Sequence, residues 1–167
     1  MIADPDPRTA LVVRPDASIW DDVRLQKLWL SLERKGWQSL AIIAASERLD
    51  TLYVAELLAQ LAGRYTGQPS SVYDLRDLSV RLIDYQVGEM QAQVGSGRRL
   101  VIALRSIFEN PTATLVARNA DATVVCVGLG ETALRRADET VKAIGRDRVI
   151  GCIVLRRSRK TADSRER

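Results

Sequence analysis

The chain has 167 residues, 46% of them hydrophobic and 28% charged, which is the composition of one ordinary globular domain. It contains no histidine, so a Ser-His-Asp triad, a Cys-His dyad and a histidine-bearing zinc site are all excluded. The net charge of +4 comes from the last twelve residues, which hold six basic and two acidic side chains, because the rest of the chain carries nineteen of each sign.

The cysteines and the apolar runs indicate the compartment. Cys126 and Cys152 each sit inside an apolar run, where a free thiol behaves as a small hydrophobic side chain. Two such cysteines make neither a disulfide framework nor a zinc site. The N-terminus is polar rather than a signal peptide, and the longest unbroken apolar run, Leu40 to Ala45, is too short to cross a bilayer. We therefore expect a cytoplasmic protein.

Predicted helices and strands alternate along the chain. Residues 1–15 hold three prolines and are interpreted as an irregular lead-in. Ser18 is then a candidate N-cap for a first helix that ends at Gly36. Five strands are predicted after this helix, at 39–45, 70–75, 100–104, 122–129 and 149–155. The helices between them are predicted at about 51–64, 78–94, 112–119 and 131–144.

The strand segments are mostly apolar throughout rather than alternating, which is typical of strands buried on both faces of a parallel sheet. The sequence therefore predicts an α/β three-layer sandwich, a mostly parallel sheet of about five strands with helices on both faces. We expect a single domain over residues 1–155, followed by a basic flexible tail at 156–167.

Ligands of such folds bind where a strand ends and the loop turns into a helix. The run from Ser39 to Ala62 contains the first such loop, SERLDTL. This run resembles the strand, P-loop and first helix of the MinD/ParA-type P-loop ATPases. Within that superfamily the chain is most similar to the cytoplasmic bacterial tyrosine kinases of polysaccharide export. The stretch from LVIAL to GLGET resembles the second half of the family, with Asp121 and Thr132 at its Asp and Thr positions, and DRVIGCIVLRR resembles its last strand.

The resemblance implies a nucleotide site, but the residues that such a site needs are missing. A P-loop requires glycines to wrap the phosphates, a lysine for the terminal phosphates and a Ser/Thr for magnesium. The Gly-Lys-Ser/Thr positions hold Asp50, Thr51 and Leu52, and the upstream glycine position holds Arg48. The strand-end aspartate that would pair with magnesium is replaced by Leu104. We therefore expect no cofactor, no metal and no catalytic residue.

Three acidic residues keep an enzymatic interpretation open. Asp74 and Asp77 lie at and after the end of the predicted strand 70–75. Their spacing differs by one position from the Asp-x-Asp pair of the family. They could hold a metal together with Asp121. The simpler interpretation is that Asp74 ends a strand and Asp77 caps the next helix.

Arg48 also has two interpretations. An arginine above a helix N-terminus could bind a phosphate or a carboxylate. The simpler expectation is a solvent-facing side chain paired with Glu47 or Asp50.

The first helix carries a candidate interface. Asp21, Arg24 and Lys27 repeat the charge order of the Glu-x2-Arg-x2-Arg helix that, by the resemblance, implies contact between neighbouring kinase subunits. The alternative is an ordinary exposed helix face, because lysine lacks the planar pairing of arginine. The three tryptophans, at positions 20, 29 and 37, are expected to pack in the core, and Trp29, which lies off the apolar stripe, is the alternative contact surface.

The sequence thus predicts a non-catalytic, pseudokinase-like protein that acts by protein–protein interaction in exopolysaccharide or capsule synthesis and export. Its expected partners are a membrane polysaccharide co-polymerase or an active kinase homologue, with self-association as a further option. The charge balance of the folded body predicts no nucleic-acid partner. The alternatives are a degenerate MinD/ParA-like positioning factor for a secretion or pilus machine, or an unconventional nucleotide-binding enzyme. The basic tail either contacts anionic lipid at the inner face of the membrane or is an inert solubilising extension.

Overall fold

Strands and helices alternate, as the apolar runs predict. The computed structural model describes residues 11–13, 23–68 and 70–156. This part of the chain forms six strands, β1 (Leu11–Val13), β2 (Ser39–Ala44), β3 (Ser70–Asp74), β4 (Arg99–Leu104), β5 (Ala122–Gly128) and β6 (Val149–Leu155). A helix separates each strand from the next: α1 (Val23–Glu33), α2 (Thr51–Thr66), α3 (Ile83–Gly95), α4 (Thr112–Asn119) and α5 (Leu134–Ile144).

The described strands form one parallel sheet in the order β1-β6-β5-β2-β4-β3. Parallel neighbours need a crossover connection, which is why a helix lies between consecutive strands. The first two helices cover one face of the sheet and the last three cover the other. The predicted α/β three-layer sandwich is therefore confirmed, with six strands instead of about five.

The central strand β2 shows why its sequence is apolar from Leu40 to Ala44. All six of its residues are buried, and it pairs with β4 on one side and β5 on the other. Leu40 and Ile42 point into the core under α1 and α2, whereas Ala41 and Ile43 point into the core under α3, α4 and α5. Neither face of the strand meets water, so alternation between polar and apolar residues is absent.

The additional strand lies in the segment expected to be irregular. The lead-in prediction for residues 1–15 is wrong at Leu11–Val13, which pair in parallel with Ile153–Leu155 of β6. Three aliphatic residues among prolines carry too short a pattern to be distinguished from a loop, and only the neighbouring strand shows their conformation. The rest of the lead-in, the candidate cap Ser18, and Trp20 lie outside the described residues, as do the tail residues after Arg156.

Two helices begin later than their periodicity predicts. The predicted 78–94 helix opens as a 3-10 turn at Val80–Leu82, where the Ser79 hydroxyl accepts the N–H of Arg81 at 3.4 Å, and continues as α3. The predicted 131–144 helix starts only at Leu134. The residues of its first expected turn form a loop instead, in which Thr132 Oγ1 accepts the N–H of Gly128 at 2.7 Å.

A buried arginine joins the first helix to the sheet. Arg99 opens β4 with a side chain only 4% exposed. Its guanidinium donates to the Glu33 carboxylate at 2.9 and 3.2 Å and to the carbonyl of Trp37 at 3.0 Å. It also lies 4.3 Å from the Trp37 ring centroid, a cation–π contact. The carboxylate and the ring together compensate for placing this charge away from water.

The tryptophans of the first helix region lie in this cluster. Trp29 is 2% exposed, meets Trp37 edge-on with 6.0 Å between ring centroids, and stacks on Tyr65 of α2. The core interpretation is correct for Trp29 and Trp37, and the alternative of Trp29 as a contact surface is wrong. Trp29 in fact lies on the buried stripe of α1, because Leu25, Leu28, Trp29 and Leu32 follow the i, i+3, i+4, i+7 spacing of one helix face.

Two other sequence inferences concern thiols and membrane spans. Cys126 is fully buried, and burial raises the pKa of its thiol, so this cysteine is an inert core side chain. Cys152 is partly buried, and burial raises its thiol pKa as well. Among the described helices, none combines the length and the apolar character that crossing a bilayer demands.

The Arg99 cluster predicts that its ion pair with Glu33 stabilises the fold more than an exposed ion pair does. Glu33→Ala leaves a buried guanidinium without its carboxylate, so it should lower the free energy of unfolding by about 2–3 kcal/mol, less than for a fully buried pair because Glu33 reaches water. Urea denaturation measures this difference. The matched control is Glu139→Ala, which removes the exposed Arg135 pair and should cost at most about 0.5 kcal/mol. Equal decreases of the free energy of unfolding in the two variants would contradict a stabilising role for the Arg99–Glu33 pair.

Candidate functional site

The loops that follow β2, β3, β4 and β5 lie together at one edge of the sheet, because all these strands are parallel. The chain passes from β2 to the side that holds β4 and β3, and after β4 it crosses to the side that holds β5. The end of β2 is therefore a topological switch point, the position at which ligands bind in open α/β sheets. The SERLDTL loop lies here.

The loop at residues 45–50 keeps a backbone turn that suits glycine. Arg48 has a φ of +66°, and it is the one non-glycine residue with positive φ in the described chain. This left-handed conformation is costly for a residue with a Cβ and is usually adopted by glycine. Arg48 stands where the resemblance expects a glycine, and that alignment stays a prediction.

The start of α2 is closed by its own side chains. The Asp50 carboxylate accepts the N–H of Tyr53 at 3.0 Å and so caps the helix. Thr51 is fully buried, and its hydroxyl donates to the carbonyl of Leu104 at 2.8 Å. Leu52 packs against the core beneath α2. Asp50, Thr51 and Leu52, where the resemblance expects phosphate and magnesium ligands, thus form a helix cap, a link from α2 to β4 and a core contact.

The same loop is fastened to the end of β5. The hydroxyls of Ser46 and Thr132 lie 2.6 Å apart. Leu49 covers Gly128 so closely that a Cβ on this glycine would stand 3.1 Å from Leu49 Cδ2. The sequence did not indicate the roles of Ser46 and Leu49, because each role depends on a residue about eighty positions away. Of their partners, only Thr132 was singled out by the resemblance.

Arginines neutralise the carboxylates that follow β3. Asp74 is the last residue of β3, as expected, and accepts two hydrogen bonds from Arg76 at 2.8 and 2.9 Å. These bonds hold the pKa of Asp74 below its ordinary value. Asp77 pairs with Arg105 at 2.9 Å. The expectation that Asp77 caps a helix is wrong, since Ser79 performs that role.

The third acidic candidate lies at the opposite edge of the sheet. The Asp121 carboxylate accepts the N–H groups of Gln38 and Ser39 at 2.8 and 2.9 Å, at the amino end of β2. It therefore cannot act together with Asp74 and Asp77 on one ion. Within the described ranges, no group of three or more Asp, Glu or Cys residues is placed to hold a metal ion.

The expected partners of Arg48 are engaged elsewhere. Glu47 pairs with Arg136 at 3.5 Å, and the guanidinium of Arg136 lies 4.8 Å from the Phe108 ring centroid. Asp50 lies 4.0 Å from Arg76. The prediction that Arg48 pairs with either acid is thus wrong, and its side chain is exposed to solvent.

The candidate interface of the first helix is only partly within the described residues. Arg24 and Lys27 are exposed on the outer face of α1, while Asp21 lies outside the described residues. The position of the two cations agrees with a surface role, and the subunit contact implied by the resemblance stays a prediction.

The left-handed turn predicts how the loop responds to glycine. Arg48→Gly and Arg48→Ala remove the same charged side chain, but only glycine adopts the turn without steric cost. Arg48→Gly should therefore be more stable than Arg48→Ala by about 1 kcal/mol in chemical denaturation. The reverse order would show that the loop does not hold this conformation in solution.

No family model and no curated protein matches the chain. Among solved structures, it is similar to one titled "BceF Tyrosine Kinase Domain", with a TM-score of 0.58 and 12% sequence identity over 89% of this chain and 83% of that one. At this identity the likeness concerns the fold. The chain therefore shares the α/β fold of a tyrosine kinase domain, as the alignment of β2 and its loop predicts.

Proposed function

We propose that this chain is a non-catalytic, pseudokinase-like protein that acts by protein–protein interaction in exopolysaccharide or capsule synthesis and export. The observation that carries the proposal is the loop after β2, where Asp50 caps α2 and Thr51 binds the Leu104 carbonyl. The assignment to polysaccharide export rests on the resemblance to those kinases. It is supported by the fold shared with the BceF tyrosine kinase domain.

Electrostatics at the loop oppose nucleotide binding. A phosphate at the start of α2 would approach the Asp50 carboxylate, and like charges there raise the free energy of the complex. Arg76 lies near Asp50, but its guanidinium is already bound on two atoms by Asp74. The lysine position holds Thr51, which is fully buried and has no cationic group to offer to a terminal phosphate.

Magnesium coordination has no support at the positions where the resemblance puts it. Leu52 and Leu104 replace an oxygen ligand and a carboxylate, and hard cations such as magnesium require oxygen ligands. The carboxylates of Asp74 and Asp77 are each neutralised by an arginine. Metal binding there would have to displace both guanidinium groups.

The proposed partners are a membrane polysaccharide co-polymerase, through its cytoplasmic face, or an active kinase homologue. The outer face of α1, with Arg24 and Lys27 exposed, is the candidate surface for such a partner. The alternative, a positioning factor of a secretion or pilus machine, would also be non-catalytic and would differ in the protein that it binds.

The main test is nucleotide binding. Isothermal titration of the full chain with ATP or ADP and magnesium should give no saturable heat up to about 1 mM nucleotide, the range of weak specific binding. Saturable binding would overturn the proposal. ATP turnover that disappears in a folded Asp74→Ala variant would favour the unconventional enzyme instead.

A second test asks whether the basic tail binds the chain to anionic membranes. Six basic and two acidic residues follow β6, and each charge near an anionic bilayer contributes on the order of 1 kcal/mol. The full chain should sediment with vesicles that contain anionic lipid but not with neutral vesicles, and deletion of residues 156–167 should abolish this. The deletion leaves β6, which ends at Leu155, intact. Unchanged sedimentation of the truncated chain would identify the tail as an inert extension.

A further inference from the structure

The outer face of α1 carries positive charge that no acid on the same face balances. α1 and the two residues after it contain four cations and one acid. The acid is Glu33, whose carboxylate is bound by the buried Arg99. All four cations are exposed, and they are Arg24, Lys27, Arg34 and Lys35. Within the described residues, the side chains of Lys27, Arg34 and Lys35 form no ion pair.

The helices on the other face of the sheet are electrically balanced. Together α3, α4 and α5 hold four cations and four acids. The cations of α5 are paired with acids: Arg135 with Glu139, Arg136 with Glu47 and Lys142 with Asp138. α2, beside α1, holds one charge of each sign. The uncompensated positive charge of the described helices therefore lies on α1.

Two apolar side chains lie among the cations of α1. Val23 and Leu30 are 58% and 61% exposed. They alternate with Lys27 and Arg34 at spacings of four, three and four residues, so the four side chains follow one another along a single stripe. The N–H of Arg34 donates to the carbonyl of Leu30, which continues the helical turn to this residue. The stripe combines cations with apolar groups that the chain's own core does not cover.

The direction of α1 relates this stripe to the basic C-terminal segment. α1 ends at the amino edge of the sheet, because Glu33 binds Arg99, the first residue of β4. It lies over β6, since a Cβ on Gly151 would stand 3.8 Å from Leu32 Cδ2. A helix that connects parallel strands runs antiparallel to them, so α1 begins toward the edge at which β6 ends. Six basic and two acidic residues follow β6 in the sequence.

We propose that the outer face of α1 binds the surface of a bilayer that contains anionic lipid. Lys27, Arg34 and Lys35 contact the phosphates of the lipid headgroups, and Val23 and Leu30 enter the headgroup layer between them. The basic segment after β6 supplies a second contact from the edge at which α1 begins. Two weak contacts of this kind bind a membrane more firmly than either one does alone.

A bilayer suits this face better than an acidic protein does. The cations are spread along the convex surface of one helix, and the charge continues into the C-terminal segment. A protein would have to match the position of each cation, whereas a lipid layer requires only that cations and apolar groups face the same plane. Lysines and arginines clustered on an amphipathic helix are the sequence pattern of anionic-lipid binding. The co-polymerase proposed as a partner lies in the membrane, but this inference requires lipid alone.

The test is sedimentation of the full chain with lipid vesicles. Phosphatidylcholine vesicles with about 30% phosphatidylglycerol should bind the wild type, and vesicles of pure phosphatidylcholine should not. The triple variant Lys27→Ala, Arg34→Ala, Lys35→Ala should lower the partition coefficient on the anionic vesicles about tenfold or more, because it removes three headgroup contacts.

The matched control is the triple variant Arg135→Ala, Lys142→Ala, Arg146→Ala. It removes the same charge from exposed residues at the opposite face. Its partition coefficient should stay within about twofold of the wild-type value, because screening by salt limits headgroup attraction to nearby charges. Circular dichroism checks that both triple variants are folded.

A second pair of variants tests the apolar part of the stripe. Leu30→Ala should lower the partition coefficient on anionic vesicles about threefold or more, since it removes apolar area that the headgroup layer covers. Leu134→Ala, at an 88% exposed position on α5, should leave it unchanged.

Three outcomes would overturn the proposal. The first is a wild-type chain that stays in the supernatant with anionic vesicles, and the second is equal partition coefficients for the two triple variants. The third is retention on immobilised poly-glutamate through the same three cations without vesicle binding, which would assign the face to an acidic protein. None of these outcomes affects the nucleotide titration, so failure of this inference is distinct from failure of the proposed function.

Discussion

The fold depends on the burial of β2. This strand is hydrogen-bonded on both edges and covered on both faces, so a charged side chain on it would be buried away from water. Its rigidity fixes where the following loop begins. Everything at the carboxyl edge of the sheet is arranged around that fixed point.

The loop after β2 is stabilised by side chains of the chain itself. In a P-loop, backbone N–H groups are satisfied by the nucleotide. Here side chains make the contacts: Thr51 binds the Leu104 carbonyl, Ser46 meets Thr132, and Leu49 covers Gly128. A helix start that is capped and packed by its own residues needs no ligand to be complete.

Arginine has a different physical role at each edge of the sheet. At the amino edge, Arg99 is buried and depends on Glu33 and two indole rings for compensation. At the carboxyl edge, Arg76 and Arg105 are at least partly exposed and pair with Asp74 and Asp77 in contact with water. The buried cluster holds α1 on the sheet and contributes stability. The exposed pairs contribute little stability, but they remove the free carboxylates on which metal chemistry would depend.

The sequence by itself determined the layer architecture, because continuous apolar runs separated by helical periodicity allow few arrangements other than a parallel sheet between helices. It also gives the residues at the positions where the resemblance expects P-loop groups, because residue identity is read directly from the sequence. Only the folded chain shows that Leu11–Val13 is a strand beside β6 and that the hydroxyls of Ser46 and Thr132 meet. Each of these depends on partners tens of residues away, and local sequence carries no signal for the contact that decides it.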